Sequence, residues 1–228
     1  MQRIAFASST ELAHSFAEYA AGILSCTLNK QQAASLVIPG GNTPRFYLPV
    51  LAAQPLLWNR ITITLSDERW VSTDSEDSNE RLVRENLLDH LPEETHFVGL
   101  KTWHDTPEQA IPEISRRLAK IPQPFTLTVL GIGEDGHIAS LFPYLKLHER
   151  PHDTADMQCL AVNPSAILPQ RVSLSLEILA RSEHIALVAT GYSKRRLLDQ
   201  LSEYADPELP IVWLLQRTLS PVTVFETD

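Results

Sequence analysis

Short apolar runs alternate with longer segments of helical periodicity along most of the chain. Six apolar runs predict buried strands, at residues 35–38, 61–65, 125–130, 158–162, 184–188 and 222–225. Periodicity and helix-start residues predict helices over residues 9–28, after the cap Thr43, after Ser78, after Thr106 and over residues 193–204, which is the last helix the pattern indicates. This alternation predicts an α/β protein with a doubly wound, largely parallel sheet and helices on both faces, forming a single domain over residues 1–228.

Charge and composition exclude several classes of protein. The 228 residues carry a formal net charge of −9, whereas binding to nucleic acid needs a basic stripe. No apolar stretch reaches the length of a membrane span, and the first residues lack the pattern of a secretory signal, so we expect a cytoplasmic protein without membrane contact. Cys26 and Cys159 lie far apart in the chain, which argues against a disulfide framework and a cysteine metal site.

Two strand-to-helix loops have the character of an anion site. Ligands of parallel sheets bind beyond the carboxyl ends of the strands, so these loops are where function is expected. The first loop leads into a helix whose free amides would face a ligand, and it contains Gly40, Gly41, Asn42 and Thr43. In the second, Lys194 lies in the first turn of a helix, where a cation is unfavourable unless it meets an anion. An ordinary turn and a surface lysine remain the alternatives.

Two further loops bring ionisable groups to strand ends. Asp67 and Arg69 follow the strand at 61–65 and form either a solvated turn or a site; the planar guanidinium of Arg69 suits a phosphate or a carboxylate. Asp67 could bind sugar hydroxyls or polarise a neighbouring base. After the strand at 125–130, three glycines surround Asp135 and His137. Histidine exchanges protons near neutral pH, so His137 is a candidate general base, with a plain surface position as the alternative.

Two familiar motifs in the chain are discounted. The glycine spacing G-x-G-x-x-G at residues 131–136 occurs late in the chain, whereas a dinucleotide site places it in the first strand–helix unit. Residues 148–152 match the zinc-protease pattern H-E-x-x-H, but Pro151 interrupts the helix which that chemistry requires. We therefore expect neither a cofactor nor a metal.

The motifs taken together resemble one family. In chain order they are G-G-x-T-P, D-E-R-W-V, N-E-R-L-x-R-E-x-L-L, G-I-G-x-D-G-H-x-A-S-L-F-P and G-x-x-K, between Val37 and Arg196. This order and spacing resemble the 6-phosphogluconolactonase family. The resemblance implies a fold of the glucosamine-6-phosphate isomerase type. It also implies hydrolysis of 6-phospho-D-glucono-1,5-lactone to 6-phosphogluconate in the oxidative pentose phosphate pathway.

The resemblance also implies roles for individual residues. The phosphate would be held by Gly40, Gly41, Asn42, Thr43 and Lys194. Arg69 would bind the phosphate or the lactone, and His137 would act as the general base on water without a metal. Asp135 and Asp67 would line the sugar, and Arg171 matches an arginine that the family places near its site. The expected partner is a small sugar-phosphate lactone, and we expect a monomer or a weak homodimer.

Some residues differ from the usual pattern of this family, and two alternative functions remain. Pro39 and Asn42 stand where the family usually has serine, and Tyr144 stands where it usually has glycine. A glucosamine-6-phosphate deaminase is the nearest rival, but that family carries a glutamate at the position of Phe142. A non-catalytic sugar-phosphate sensor is the other alternative. Its DNA-binding helices have no room in the residues before the first strand–loop unit, which read as one strand and one helix.

Overall fold

The structure, a computed structural model, describes residues 1–146, 157–165 and 167–228. Its strands are β1 (Gln2–Ala5), β2 (Ala34–Ile38), β3 (Ile61–Leu65), β4 (Asp67–Arg69), β5 (His96–Val98), β6 (Leu127–Gly131), β7 (Cys159–Val162), β8 (Arg171–Leu174), β9 (His184–Thr190) and β10 (Val222–Thr227). Its α-helices are α1 (Ser9–Leu28), α2 (Pro44–Ala52), α3 (Asn79–Asn86), α4 (Pro107–Leu118), α5 (Leu176–Ala180), α6 (Tyr192–Glu203) and α7 (Pro210–Arg217). The H-E-x-x-H residues 148–152 lie outside the described residues.

A seven-stranded parallel sheet forms the centre of the fold. Its strand order is β1-β10-β9-β6-β2-β3-β5, and every neighbouring pair runs parallel. The residues of β2 are all buried, as expected of a strand that is covered on both faces. Helices cover both faces of the sheet, so the predicted α/β fold is confirmed.

The sheet order places the four loops singled out above side by side. They follow β9, β6, β2 and β3, which are consecutive neighbours in the sheet. Because parallel strands end at the same edge, these loops converge on one region beyond their carboxyl ends.

A second, three-stranded antiparallel sheet lies beside this region. Its order is β4-β8-β7, and β4 begins immediately after Ser66, which follows β3. The predicted strand at 158–162 therefore exists as β7 but belongs to this sheet. Strands β4, β5 and β8 were not predicted, because their sequences D-E-R, H-F-V and R-V-S-L are short and polar residues interrupt or replace the apolar run that marked the other strands.

Helix starts follow the sequence signals in most places. Ser78 accepts a hydrogen bond from the amide of Arg81 at 3.2 Å, and Thr106 accepts one from Gln109 at 3.5 Å, although α4 continues through a proline. The prediction that residues 193–204 form the last helix is wrong, because α7 follows. Its residues from Pro210 to Leu214 are all buried, so it lacks the polar face by which a helix is recognised.

Candidate functional site

The four loops surround one cavity at the carboxyl edge of the parallel sheet. Its volume is about 200 Å³. All but one of the residues singled out from the sequence line it: Gly40, Gly41, Asn42, Thr43, Asp67, Arg69, His137, Arg171 and Lys194. The exception is Asp135, which contacts His137 instead. The residues that were expected to act together on one ligand are therefore brought together.

One side of the cavity, here called the amide wall, consists of Gly40, Gly41, Asn42, Thr43 and Lys194. Gly41 has a φ of +88°, a conformation that favours glycine, and it turns the chain from β2 towards α2. Thr43 lies at the N-cap position of α2 and Pro44 begins the helix, as predicted, but the Thr43 side chain makes no capping hydrogen bond. Its backbone is already helical, and its Oγ1 lies 3.0 Å from Oγ1 of Thr190. Within the described residues no side chain caps α2, but its first residue is a proline and the amides of Arg45 and Phe46 donate to the carbonyls of Asn42 and Thr43, at 3.2 and 3.1 Å. The amide wall therefore offers an anion its loop amides and the positive dipole end of α2.

Lys194 reaches the amide wall from the first turn of α6, as predicted. The turn from β9 into that helix is made by Gly191, whose φ is +98°. Burial lowers the pKa of Lys194, and the charge of Glu134 opposes this effect. An anion in the cavity would offset both the burial of this cation and its position at the positive end of a helix.

A second side, here called the guanidinium wall, consists of Asp67, Arg69, Asn79 and Arg171. The pairing of β4 with β8 makes the two arginines direct cross-strand neighbours. Like charges in this arrangement repel each other. In both arginines Nε is buried and has no hydrogen-bond partner among the described residues. Burial and the charge of Arg69 lower the pKa of Arg171, while Asp67 raises it. The pair is thus suited to an anionic or strongly polarised oxygen.

The buried carboxylate of Asp67 organises the guanidinium wall. Its Oδ1 accepts a hydrogen bond from Ser66 at 2.8 Å, and its Oδ2 accepts one from Oγ of Ser140 at 2.6 Å. The same Ser140 hydroxyl accepts from Nη1 of Arg171 at 3.3 Å, and that nitrogen lies 4.0 Å from Oδ2 of Asp67. Asp67 therefore orients Arg171, through a serine that the sequence analysis did not single out.

Asn79 is a cavity residue that sequence reasoning missed. Its Oδ1 accepts a hydrogen bond from Nη1 of Arg69 at 3.0 Å, and its Nδ2 donates to the carbonyl of Asp67 at 2.8 Å. A Cβ added at Gly40 would lie 1.9 Å from that Oδ1, so this glycine is required for the close approach of the two walls. The sequence did contain a signal, the N-E-R motif that begins at Asn79. This motif was part of the family resemblance, but no role was assigned to the asparagine.

Glu68 fixes Asn79 in place. Its buried carboxylate accepts hydrogen bonds from the amides of Asn79 and Glu80, both at 2.7 Å, and from the hydroxyl of Ser78 at 3.0 Å. Burial raises the pKa of Glu68, and these donors oppose that rise. The carboxylate thus holds the start of α3, and with it Asn79, against the cavity.

His137 faces the cavity with its imidazole already oriented. Its Nδ1 lies 2.6 Å from Oδ1 of Asp135, which also accepts from the His137 amide at 3.2 Å. A carboxylate can only accept, so Nδ1 donates, and in the neutral imidazole Nε2 then carries the lone pair. A Cβ at Gly133 would lie 2.1 Å from Nδ1, so a glycine is needed beneath the ring. A base held by an orienting carboxylate can take a proton from water.

Two kinds of feature are absent from the described residues. In residues 1–146, 157–165 and 167–228, no group of three or more His, Cys, Asp or Glu could hold a metal ion. No helix within those ranges has the length and apolar character needed to cross a membrane.

Comparison with known proteins places the chain in a family. Residues 7–223 match the family of glucosamine-6-phosphate isomerases and 6-phosphogluconolactonases. The chain is 37% identical to a 6-phosphogluconolactonase of Pseudomonas aeruginosa, over 93% of this chain and 90% of that protein. It is similar to the crystal structure of a 6-phosphogluconolactonase from Shewanella baltica, with a TM-score of 0.92, 33% identity and coverage of 100% of this chain and 98% of the other.

A monomeric glucosamine-6-phosphate deaminase shares the fold. Its TM-score is 0.79 at 19% identity, with coverage of 100% of this chain and 98% of that one. Its likeness concerns the fold alone. The resemblance found in the sequence is confirmed by the family match and by the relatives. The chain belongs to the glucosamine-6-phosphate isomerase/6-phosphogluconolactonase family.

Proposed function

We propose that this protein hydrolyses 6-phospho-D-glucono-1,5-lactone to 6-phosphogluconate, with His137 as general base and without a metal. The observation that carries the proposal is the oriented pair of His137 and Asp135 at a cavity whose lining holds three cations. The protein as a whole has a net charge of −9, so this local cluster runs against the overall charge. The names of the relatives point to the same reaction.

The amide wall is the better site for the phosphate. Its backbone amides, the positive end of α2 and Lys194 all favour an anion that remains fully charged throughout the reaction. Phosphate binding there holds the substrate by a group far from the reacting carbon, and this orients the lactone towards His137.

Water attack on the lactone needs one base and an oxyanion site. Nε2 of His137 takes a proton from water while the water oxygen bonds to C1, and the carbonyl electrons move onto the exocyclic oxygen. Arg171, held by Asp67 and Ser140, can stabilise that oxyanion. The C1–O5 bond then breaks, and the imidazolium returns its proton to O5. The new carboxylic acid loses a proton to solvent, giving 6-phosphogluconate.

The test is an assay of lactone hydrolysis. 6-Phosphogluconolactone is generated in situ at mildly acidic pH, and its disappearance is compared with spontaneous opening. Acceleration proportional to protein concentration, and unchanged by a chelator, supports both the reaction and the metal-free route. A folded protein that gives no acceleration overturns the proposal, and release of ammonia from glucosamine 6-phosphate would then favour the deaminase.

A further inference from the structure

Phe142 lies between two groups of the site that come from different elements. Its ring centroid is 4.7 Å from that of His137, with the planes tilted by 41°. The guanidinium carbon of Arg171 lies 5.5 Å from the same centroid. His137 belongs to the loop after β6, whereas Arg171 begins β8 of the second sheet. One aromatic side chain therefore touches both the base and the cation.

A second aromatic ring supports Phe142 from outside. The ring of Tyr144 is stacked on it, with centroids 5.5 Å apart and planes within 14°. The Tyr144 hydroxyl donates to the carbonyl of Asn163 at 3.4 Å, and the Asn163 amide donates to Glu108 at 2.9 Å. Phe142 is thus held between the site and a hydrogen-bonded surface that includes the start of α4.

We propose that Phe142 is a positioning residue, which fixes the imidazole of His137 and the guanidinium of Arg171 relative to each other, with Tyr144 as its outer support. Asp135 restrains one edge of the imidazole through Nδ1, but a single hydrogen bond leaves the ring free to swing about that edge. The Phe142 ring restricts that swing and attracts Arg171 by a cation–π contact. The inference rests on the proposed function, because the base and the oxyanion donor must meet the same lactone carbon.

The first experiment compares three variants in the lactone assay. Phe142→Leu removes the ring but keeps most of the apolar volume, and Phe142→Tyr keeps the ring. The matched control is Phe97→Leu, because Phe97 is also partly buried and carries an arginine, Arg84, at 5.2 Å, but lies on the edge strand β5. We expect Phe142→Leu to lower kcat by about ten- to a hundred-fold with less than about a threefold change in KM. Phe142→Tyr and Phe97→Leu should keep kcat within about twofold of the wild type.

The second experiment reads the position of the ring directly and does not depend on activity. Nitrogen resonances of the His137 side chain, assigned by NMR, report its Nδ1 hydrogen bond and its order. In Phe142→Leu we expect these signals to shift and broaden, and in Phe97→Leu to stay as in the wild type. Should Phe142→Leu fail to fold, Tyr144→Ala at an exposed position serves instead, with Tyr204→Ala as its control and an expected loss of about two- to five-fold in kcat.

The outcomes separate the two proposals. A wild-type protein that does not open the lactone defeats the proposed function, and the His137 resonances then decide the positioning role alone. A wild-type enzyme that is active, with kcat and His137 resonances unchanged in Phe142→Leu, keeps the proposed function and overturns the positioning role. Equal losses in Phe142→Leu and Phe97→Leu, or a loss in Phe142→Tyr as large as in Phe142→Leu, also overturn it.

Discussion

The amide wall and the guanidinium wall present positive charge to the same cavity by different means. The amide wall uses backbone amides, a helix dipole and one lysine, so most of its charge is fixed by the path of the chain. The guanidinium wall uses two cross-strand arginines, which are aimed by a buried aspartate, a serine and an asparagine. The first design suits a group that keeps its charge, and the second suits a charge that develops during reaction. Substitutions in the amide wall should therefore mainly change substrate binding, and substitutions in the guanidinium wall should mainly change turnover.

Among substitutions in the two walls, the largest effect is expected from removal of a guanidinium. Arg171→Ala takes away the candidate oxyanion donor and leaves the buried Asp67 without its cation, so kcat/KM should fall by about a hundred-fold, mainly through kcat. Steady-state kinetics of lactone hydrolysis measure this, with Arg116→Ala on the exposed side of α4 as the control. If KM rose while kcat stayed unchanged, Arg171 would be a substrate-binding residue, and the proposed difference between the two walls would be wrong.

The next largest effect, on stability, is expected when the contact between the two walls is broken. In Gly40→Ala the new methyl group would displace Asn79, which is held by Arg69 and by the carbonyl of Asp67, so the free energy of unfolding should fall by about 1–3 kcal/mol. Gly22→Ala is the matched control. Its Cβ meets open space in the middle of α1, and the free energy of unfolding should rise by about 0.5–1 kcal/mol. Thermal or urea unfolding measures the change in the free energy of unfolding for each variant. Equal stabilities of the two variants would show that Gly40 and Asn79 do not approach each other closely.

A weaker effect, of a different kind, is expected on the amide wall. Lys194→Ala removes one charge from the phosphate but leaves the backbone amides, so KM should rise by about tenfold while kcat stays within about threefold. Lys120→Ala, at an exposed position that follows α4, is the control. A fall in kcat with an unchanged KM would place Lys194 in the chemical step instead.

The smallest effect is a pH dependence of product binding. Burial lowers the pKa of Lys194, so in the free protein its positive charge is lost, as pH rises, at a lower pH than that of an ordinary lysine. The affinity for 6-phosphogluconate, measured by calorimetry, should therefore decline by about three- to ten-fold from neutral to alkaline pH. The decline should begin at a lower pH than it would with a lysine of ordinary pKa. In Lys194→Arg, which stays protonated, the decline should disappear. The same decline in both proteins would mean that another group is responsible.

The two walls also differ in how far the sequence predicts them. The amide wall is encoded locally: glycines, a proline at a helix start and a lysine one turn into a helix follow predicted strands directly. His137 was found for the same reason, because its three neighbouring glycines lie at the end of β6 and in the loop directly after it. The local sequence did not predict one detail correctly, which is the capping of α2 by the Thr43 side chain. Thr43 is already helical, and its hydroxyl turns to Thr190 on a different strand.

The guanidinium wall depends on contacts between segments that are distant in the chain. Arg69 and Arg171 become neighbours only through the pairing of β4 with β8, two short strands in which polar residues interrupt or replace the apolar run. Asn79 and Ser140 gain their roles from the fold, since an asparagine at a helix start and a serine in a loop are ordinary when taken alone. Arg171 was reached through the family resemblance, and its geometry required the structure.

The proposed role of His137 is to take the proton from the attacking water. It can be tested by measuring the kcat of His137→Ala and the affinity of this variant for 6-phosphogluconate. We expect kcat to fall by about a hundred-fold or more, because general-base catalysis is lost. Product affinity should stay within about threefold of the wild type, since the phosphate rests on the amide wall. A folded variant that keeps kcat within a few-fold of the wild type would show that His137 is not the general base.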